Sequence, residues 1–219
     1  MASRKVVFLV PCNAINMSVT GFFERENMHQ EIECDMFDFE PARDIKKIPR
    51  GNDYGVWKEA HNYLQSLTGL YEKAVVLVDA QFPGSPGAEA VKADIENNML
   101  SVGWDENDFI VCVFDPELEA LMWQEDNALL TEIIKFNAHN EGLNQWLIDN
   151  HWVQGGGMLP DKPKEALEDA IKLNRAGKNI RLTVVCKKYA KQAEFADCVH
   201  VCFTSLIQQF RQWFPVVAI

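Results

Sequence analysis

Three short apolar runs, residues 5–10, 73–78 and 109–114, constrain this chain more than any other feature. Each is built from β-branched and aromatic residues at nearly every position, with little alternation between apolar and polar. A strand without a polar face is buried on both sides, which is the condition of a parallel sheet covered by helices. Helical patterns fill the intervals. Trp57, Ala60, Leu64 and Leu67 share one face of a helix over 56–67, and Ala166, Leu167, Ala170 and Ile171 share one over 164–173. Strands alternating with helices predict right-handed βαβ units and an α/β fold, a mostly parallel sheet with helices on both faces.

The remaining elements follow from local signals. Ser85 and Pro86 suit the cap and first turn of a helix running to about Ser101, and Gly103 supplies its stop. Ile32, Cys34, Met36 and Phe37, broken by acids, predict an edge strand over 31–39. Residues 180–186 read either as a fifth strand or as the early part of a helix. Phe203, Leu206, Ile207, Phe210, Trp213 and Phe214 form an aromatic stripe. It predicts a terminal helix that faces the core or, alternatively, docks a partner. The 219 residues then form one α/β domain, with a core over about 1–173 and a C-terminal strand or helix extension over about 174–219.

Charge and cysteine usage bound the function. Lys and Arg total 21 against 32 Asp and Glu, a formal net charge of -11. That balance opposes a stand-alone binder of phosphate backbones and leaves nucleic acid reachable only through a metal ion or a basic partner. No apolar stretch approaches the ~20 residues that span a bilayer. Arg4 and Lys5 before residues 6–10 resemble a signal peptide, but the run stops at Pro11 with no cleavage pattern after it, so a first strand is the reading. Six cysteines (Cys12, Cys34, Cys112, Cys186, Cys198, Cys202) lie in or beside apolar segments. They lack the density of a secreted disulfide framework, and a cytoplasmic location is expected.

In an open α/β sheet, ligands bind beyond the carboxyl ends of the strands. The loops of interest are therefore 11–17, 79–85 and 115–119. Asp79 follows one strand, and Asp115, Glu117 and Glu119 follow another. Converging carboxylates are what a hard cation such as Mg²⁺ or Mn²⁺ requires. Asp79, Gln81, Asp115 and Glu117 are the candidate metal ligands, with Glu117 and Glu119 as candidate catalytic acids. The competing reading is that Asp79 and Asp115 cap the turns that follow them. Ser85, in the rigid turn 83–87 beside Asp79, marks a weak anion site at a helix start.

At these residues the chain resembles the TOPRIM superfamily, closest to the small stand-alone TOPRIM-like proteins of bacterial anti-phage defence loci. Pro116, Glu117, Leu118, Glu119 and Ala120, running on to Asp126, are similar to their Pro-Glu-Ile-Glu-Ala-Trp segment with its terminal acid. Lys162, Pro163, Lys164, Glu165, Ala166 and Leu167 resemble a later helix start. The similarity covers roughly residues 6–173. It implies a glutamate after the first strand and an Asp-x-Asp after a later one. Here Pro11 and Cys12 occupy the first position, with no carboxylate until Glu24, and the second reads Asp79-Ala80-Gln81. The resemblance therefore implies a degenerate acidic site in a defence component that acts chiefly through a protein partner or as a homo-oligomer, with catalysis weak or absent. The alternative is a Mg²⁺-dependent nuclease or phosphodiesterase, and a third reading is a nucleotide-binding protein.

Other clusters carry less. Cys198, His200 and Cys202 offer three soft ligands without the second pair a structural zinc site needs. Cys12 is a candidate nucleophile only if a base such as His29, His61, His139, His151 or His200 lies beside it. Gly155, Gly156 and Gly157 lack the Lys-Ser/Thr of a phosphate-binding loop. Trp104, Trp123, Trp146, Trp152 and Trp213 do not alternate with basic residues, so core packing is their default.

Overall fold

The computed structural model describes residues 3–49, 51–137, 140–154, 159–173, 180–194 and 200–216. The chain enters as β1 (Arg4–Val10) and turns at Cys12 into α1 (Asn13–Phe23), followed by the short α2 (Met28–Glu31) and α3 (Pro41–Asp44). Next come β2 (Ile45–Lys47), α4 (Asp53–Gln65), β3 (Tyr71–Asp79), α5 (Ala88–Ser101) and β4 (Phe109–Phe114). A 3-10 turn (Leu118–Met122) leads to α6 (Ala128–Ile134), α7 (Gly142–Asp149), α8 (Pro163–Leu173), α9 (Leu182–Gln192) and α10 (Val201–Trp213). The four strands form one all-parallel sheet in the order β2-β1-β3-β4. This is the expected α/β, Rossmann-like architecture, with helices on both faces.

The pleat explains why the strand sequences are apolar throughout. Val6, Phe8, Val10, Val75, Leu77, Cys112 and Phe114 face one layer, which Ile15 and Phe22 of α1 and Phe203, Leu206 and Phe210 of α10 complete. Val7, Leu9, Val76, Val78, Val111 and Val113 face the other, against Val56, Trp57, Ala60 and Leu64 of α4 and Val91, Ile95 and Met99 of α5. A third cluster, including Leu130, Ile134, Leu147, Leu167 and Cys186, joins α6 to α9 beside α1. Each large apolar side chain buried in these layers contributes about 1.5–3 kcal/mol. Helix α9 lies so close to α1 that a Cβ on Gly21 would stand 2.2 Å from the Lys187 carbonyl oxygen, so the crossing requires glycine.

Several expectations change. Residues 32–39 form no strand. Ile32 and Cys34 are buried and Phe37 and Phe39 pack on the sheet layer, so the segment covers the core while β2 pairs with β1 as the edge. Residues 182–192 are helix, which resolves the ambiguity over 180–186. Helix α5 begins at Ala88 after Gly87 (φ 101°), and Ser85 Oγ accepts the Gly87 N–H at 3.2 Å. Ser85 and Pro86 thus form the turn before the helix rather than its cap. The expected stop does hold, since Gly103 follows the helix with φ 95°. The loop expected over 11–17 is mostly the first turns of α1. Among the described residues, no helix is long and apolar enough to cross a membrane.

Candidate functional site

From β1 the chain steps to β2 on one side, then passes back over β1 to pair β3 on the other. The order reverses between β1 and β3, and that reversal opens a crevice at their carboxyl ends. Two residues lie at its base: Cys12, the N-cap of α1, and Asp79, the last residue of β3. The start of α4 is drawn into the same crevice. Asn52 caps that helix by accepting the Gly55 N–H at 2.7 Å, which places the next residue, Asp53, beside the end of β3.

Main-chain hydrogen bonds hold the acids together. Asp79 N–H donates to Asp53 Oδ1 at 3.0 Å, and Leu118 N–H donates to Asp79 Oδ1 at 2.8 Å. Lys164 N–H, at the start of α8, donates to Glu117 Oε1 at 2.7 Å. Asp79 therefore ties the 3-10 turn to the sheet, and Glu117 ties α8 to that turn. Glu119, only 2% exposed, lies underneath.

The electrostatics are unfavourable to ionised acids. Burial pushes the Asp79 carboxyl well above its usual range, and the charges of Asp53, Glu119 and Glu117 push it further against the Leu118 hydrogen bond. Burial raises Glu119 to about 7, with Glu117 adding to it. Asp53 and Glu117 are raised as well, burial being the first cause in each. Burial disfavours the Lys164 ammonium, but Glu119, Cys12, Asp79 and Glu117 outweigh it and its pKa rises. Gln81, Glu117, Lys162, Lys164, Glu165 and Glu168 line an open cleft of about 360 Å³ at the mouth.

Four of the expected residues, Asp79, Gln81, Glu117 and Glu119, meet in this region; Asp115 does not. It is exposed and lines a separate groove with His200 and Cys202 along the outer edge of β4. Asp115 and Glu117 both follow β4 in sequence, yet Pro116 and the turn send them to different sides. Asp53 takes the place expected of Asp115. Its only sequence signal is the Asn52-Asp53 cap preceding an amphipathic helix, which says nothing about what the acid faces.

A divalent cation fits this donor set poorly. Asp53, Asp79 and Glu117 each commit an oxygen to a backbone N–H. Among the described residues, no group of three His, Cys, Asp or Glu side chains is arranged to hold a metal ion. Cys12 is no better as a nucleophile, because burial, then Asp79 and Asp53, raise its thiol against the hydrogen bonds that lower it. Trp104, Trp123 and Trp146 are buried in the core. Cys198, His139 and the glycines at 155–157 lie outside the described residues. No protein-family model, curated protein or solved structure matches this chain.

Proposed function

We propose that this chain is a TOPRIM-like, cytoplasmic component of a bacterial anti-phage defence system that acts chiefly through protein partners, its acidic motif serving as a structural clasp with little or no catalysis. One observation carries this reading: Asp79 and Glu117 of the motif accept main-chain N–H groups of the 3-10 turn and α8, and Asp53 beside them accepts the N–H of Asp79. Ligation by these acids alone would leave a cation few free oxygens. The terminal aromatic stripe, one of the features that suggested a partner, is not the docking surface. Phe203, Leu206 and Phe210 are buried in the chain's own core.

The second reading is the Mg²⁺- or Mn²⁺-dependent nuclease or phosphodiesterase. Its support is the raised proton affinity of Asp79 and Glu119, which marks negative charge short of compensation, the condition of many functional sites. Calorimetric titration of both metals into the purified chain separates the two. The clasp reading expects no saturable binding at millimolar metal, with wild type and Asp79→Ala indistinguishable. Saturable binding abolished by Asp79→Ala would overturn it in favour of the metal-dependent enzyme.

A further inference from the structure

The β4 edge of the sheet carries main-chain groups that no described residue pairs. Strands β3 and β4 run residue for residue, from Ala74 opposite Phe109 to Asp79 opposite Phe114. Ala74 N–H donates to the Asp108 carbonyl at 2.9 Å, and Ala80 N–H to the Phe114 carbonyl at 2.7 Å. The even-numbered residues of β4 therefore turn their main chain to β3, and alternation turns the N–H and C=O groups of Val111 and Val113 outward. Among the described residues nothing hydrogen-bonds to these outward groups. Sheet edges are ordinarily blunted by a charge, a proline or a bulge, and Phe109–Phe114 has none of the three.

Val111 and Val113 lie in a groove of about 790 Å³, walled by Glu89 and Lys92 of α5 and by Val201 and Cys202 of α10. The Cys112 thiol donates to the Cys202 carbonyl at 3.5 Å, which fixes the start of α10 beside the strand. Although β4 is an edge, Val111 is 2% and Val113 8% exposed, so the strand is recessed between the two helices. A second copy presents the same recessed edge, and two recessed edges do not reach each other. A single extended segment does, and a strand is what shielded main-chain groups without partners require. The walls set its side chains, which alternate between the two faces. Val201, at the start of α10, is 78% exposed and offers an apolar contact. Lys92 is paired with Glu96 at 3.7 Å, whereas no described cation meets Glu89 or, at the strand's end, Asp115. We infer that a partner protein docks here by adding an extended segment, alternately apolar and basic, as a fifth strand beside β4. This docking rests on the reading that the chain acts through protein partners, and it gives the partner a binding mode.

Hydrogen exchange of the full chain, read residue by residue by NMR, tests it. The probe is a mixture of end-capped octapeptides in which Val, Ile or Leu alternates with Lys or Arg. In the free chain the Val111 and Val113 amides should exchange about tenfold faster than those of Ile110 and Cys112, which are bonded to β3. Millimolar peptide should slow both about tenfold, and fully N-methylated peptides, which cannot form the ladder, should leave them unchanged. Val201→Asp should raise the peptide concentration required about tenfold, and Glu89→Lys about fivefold. Glu89→Lys should also admit peptides with Glu in place of Lys and Arg. Val111 and Val113 amides already protected in the dilute free chain, no slowing with peptide, or slowing indifferent to both substitutions would each overturn the docking. Protection that grows with protein concentration alone would overturn it in favour of pairing between two copies. None of these outcomes touches the metal titration at Asp79, so loss of the β4 site and loss of the partner reading are told apart.

Discussion

The two ends of the sheet each bury an aspartate, and they treat it in opposite ways. Near the start of β1, Asp44 is 0% exposed and fully partnered. Arg4 reaches it through Nε and through Nη2, the latter at 2.6 Å from Oδ2, and Glu40 N–H donates to the same oxygen at 2.6 Å. The arginine responds as a paired cation should, its pKa raised first by the Asp44 hydrogen bond. At the other end Asp79 is 8% exposed, with one backbone N–H on its carboxylate and three acids around it. A buried charge held by a bidentate arginine is a structural joint. A buried carboxyl among like charges takes up a proton or awaits a counter-charge, and such places concentrate at ligand sites. The contrast between the two ends is what makes the carboxyl end of the sheet the candidate site.

The largest effect should come from breaking the joint. Asp44→Ala removes both guanidinium contacts and leaves the Glu40 N–H without its acceptor. A loss of about 3 kcal/mol in chemical denaturation is expected, the scale on which one partner of a buried pair is missed. A loss below about 1 kcal/mol would show that the pair is as dispensable as a surface bridge.

The opposite sign is expected at the other end. Glu119 binds its proton more tightly folded than unfolded, with its pKa raised from 4.5 to about 7 by burial first. Between these values the unfolded chain carries fewer protons at this group, so stability falls as pH rises. The penalty is absent below about pH 4.5, grows through the window and levels off above about 7, where the shift is worth about 3 kcal/mol. Glu119→Gln should therefore stabilise the chain at pH 8 and gain little near pH 5. Denaturation midpoints across this range check it, and a gain independent of pH would assign the effect to packing instead.

Much of this arrangement is written in local sequence, and the missing part is of one kind. The run 109–114 marks β4 to the residue because its apolar pattern ends sharply at Asp108 and Asp115. The faces of α4 and α8 are equally legible, with Trp57, Ala60, Leu64, Ala166 and Leu167 buried where their spacing puts them. The misreading of 31–39 has a physical cause. Apolar residues every second or third position suit an irregular cover over a core as well as a strand, and nothing local says which edge β2 will take. The site was legible as a set of strand ends, but not as a set of contacts. Asp53 is brought to Asp79 by the crossover from β2 to β3, and Asp115 is turned away two residues before Glu117 is turned in. Spacing along a chain carries neither fact.

The smallest effect tests the clasp itself. Glu117 accepts the Lys164 N–H at 2.7 Å, and that bond anchors the start of α8 to the turn after β4. Glu117→Gln keeps an oxygen in place to accept it and removes a charge that raises Asp79 and Glu119. Glu117→Ala removes the acceptor and the charge together. Loss of one main-chain hydrogen bond costs about 1 kcal/mol, so the alanine variant should be less stable than the glutamine variant by about that amount. Hydrogen exchange should report the loss at the first turn of α8 before the strands of the sheet respond. Equal stability of the two variants, with Lys164 N–H equally protected in both, would mean that Glu117 is held in the cluster for its charge. That result would shift the balance from clasp to ligand site, because a buried charge without a structural task is what the Arg4–Asp44 end of the molecule has shown the fold otherwise avoids.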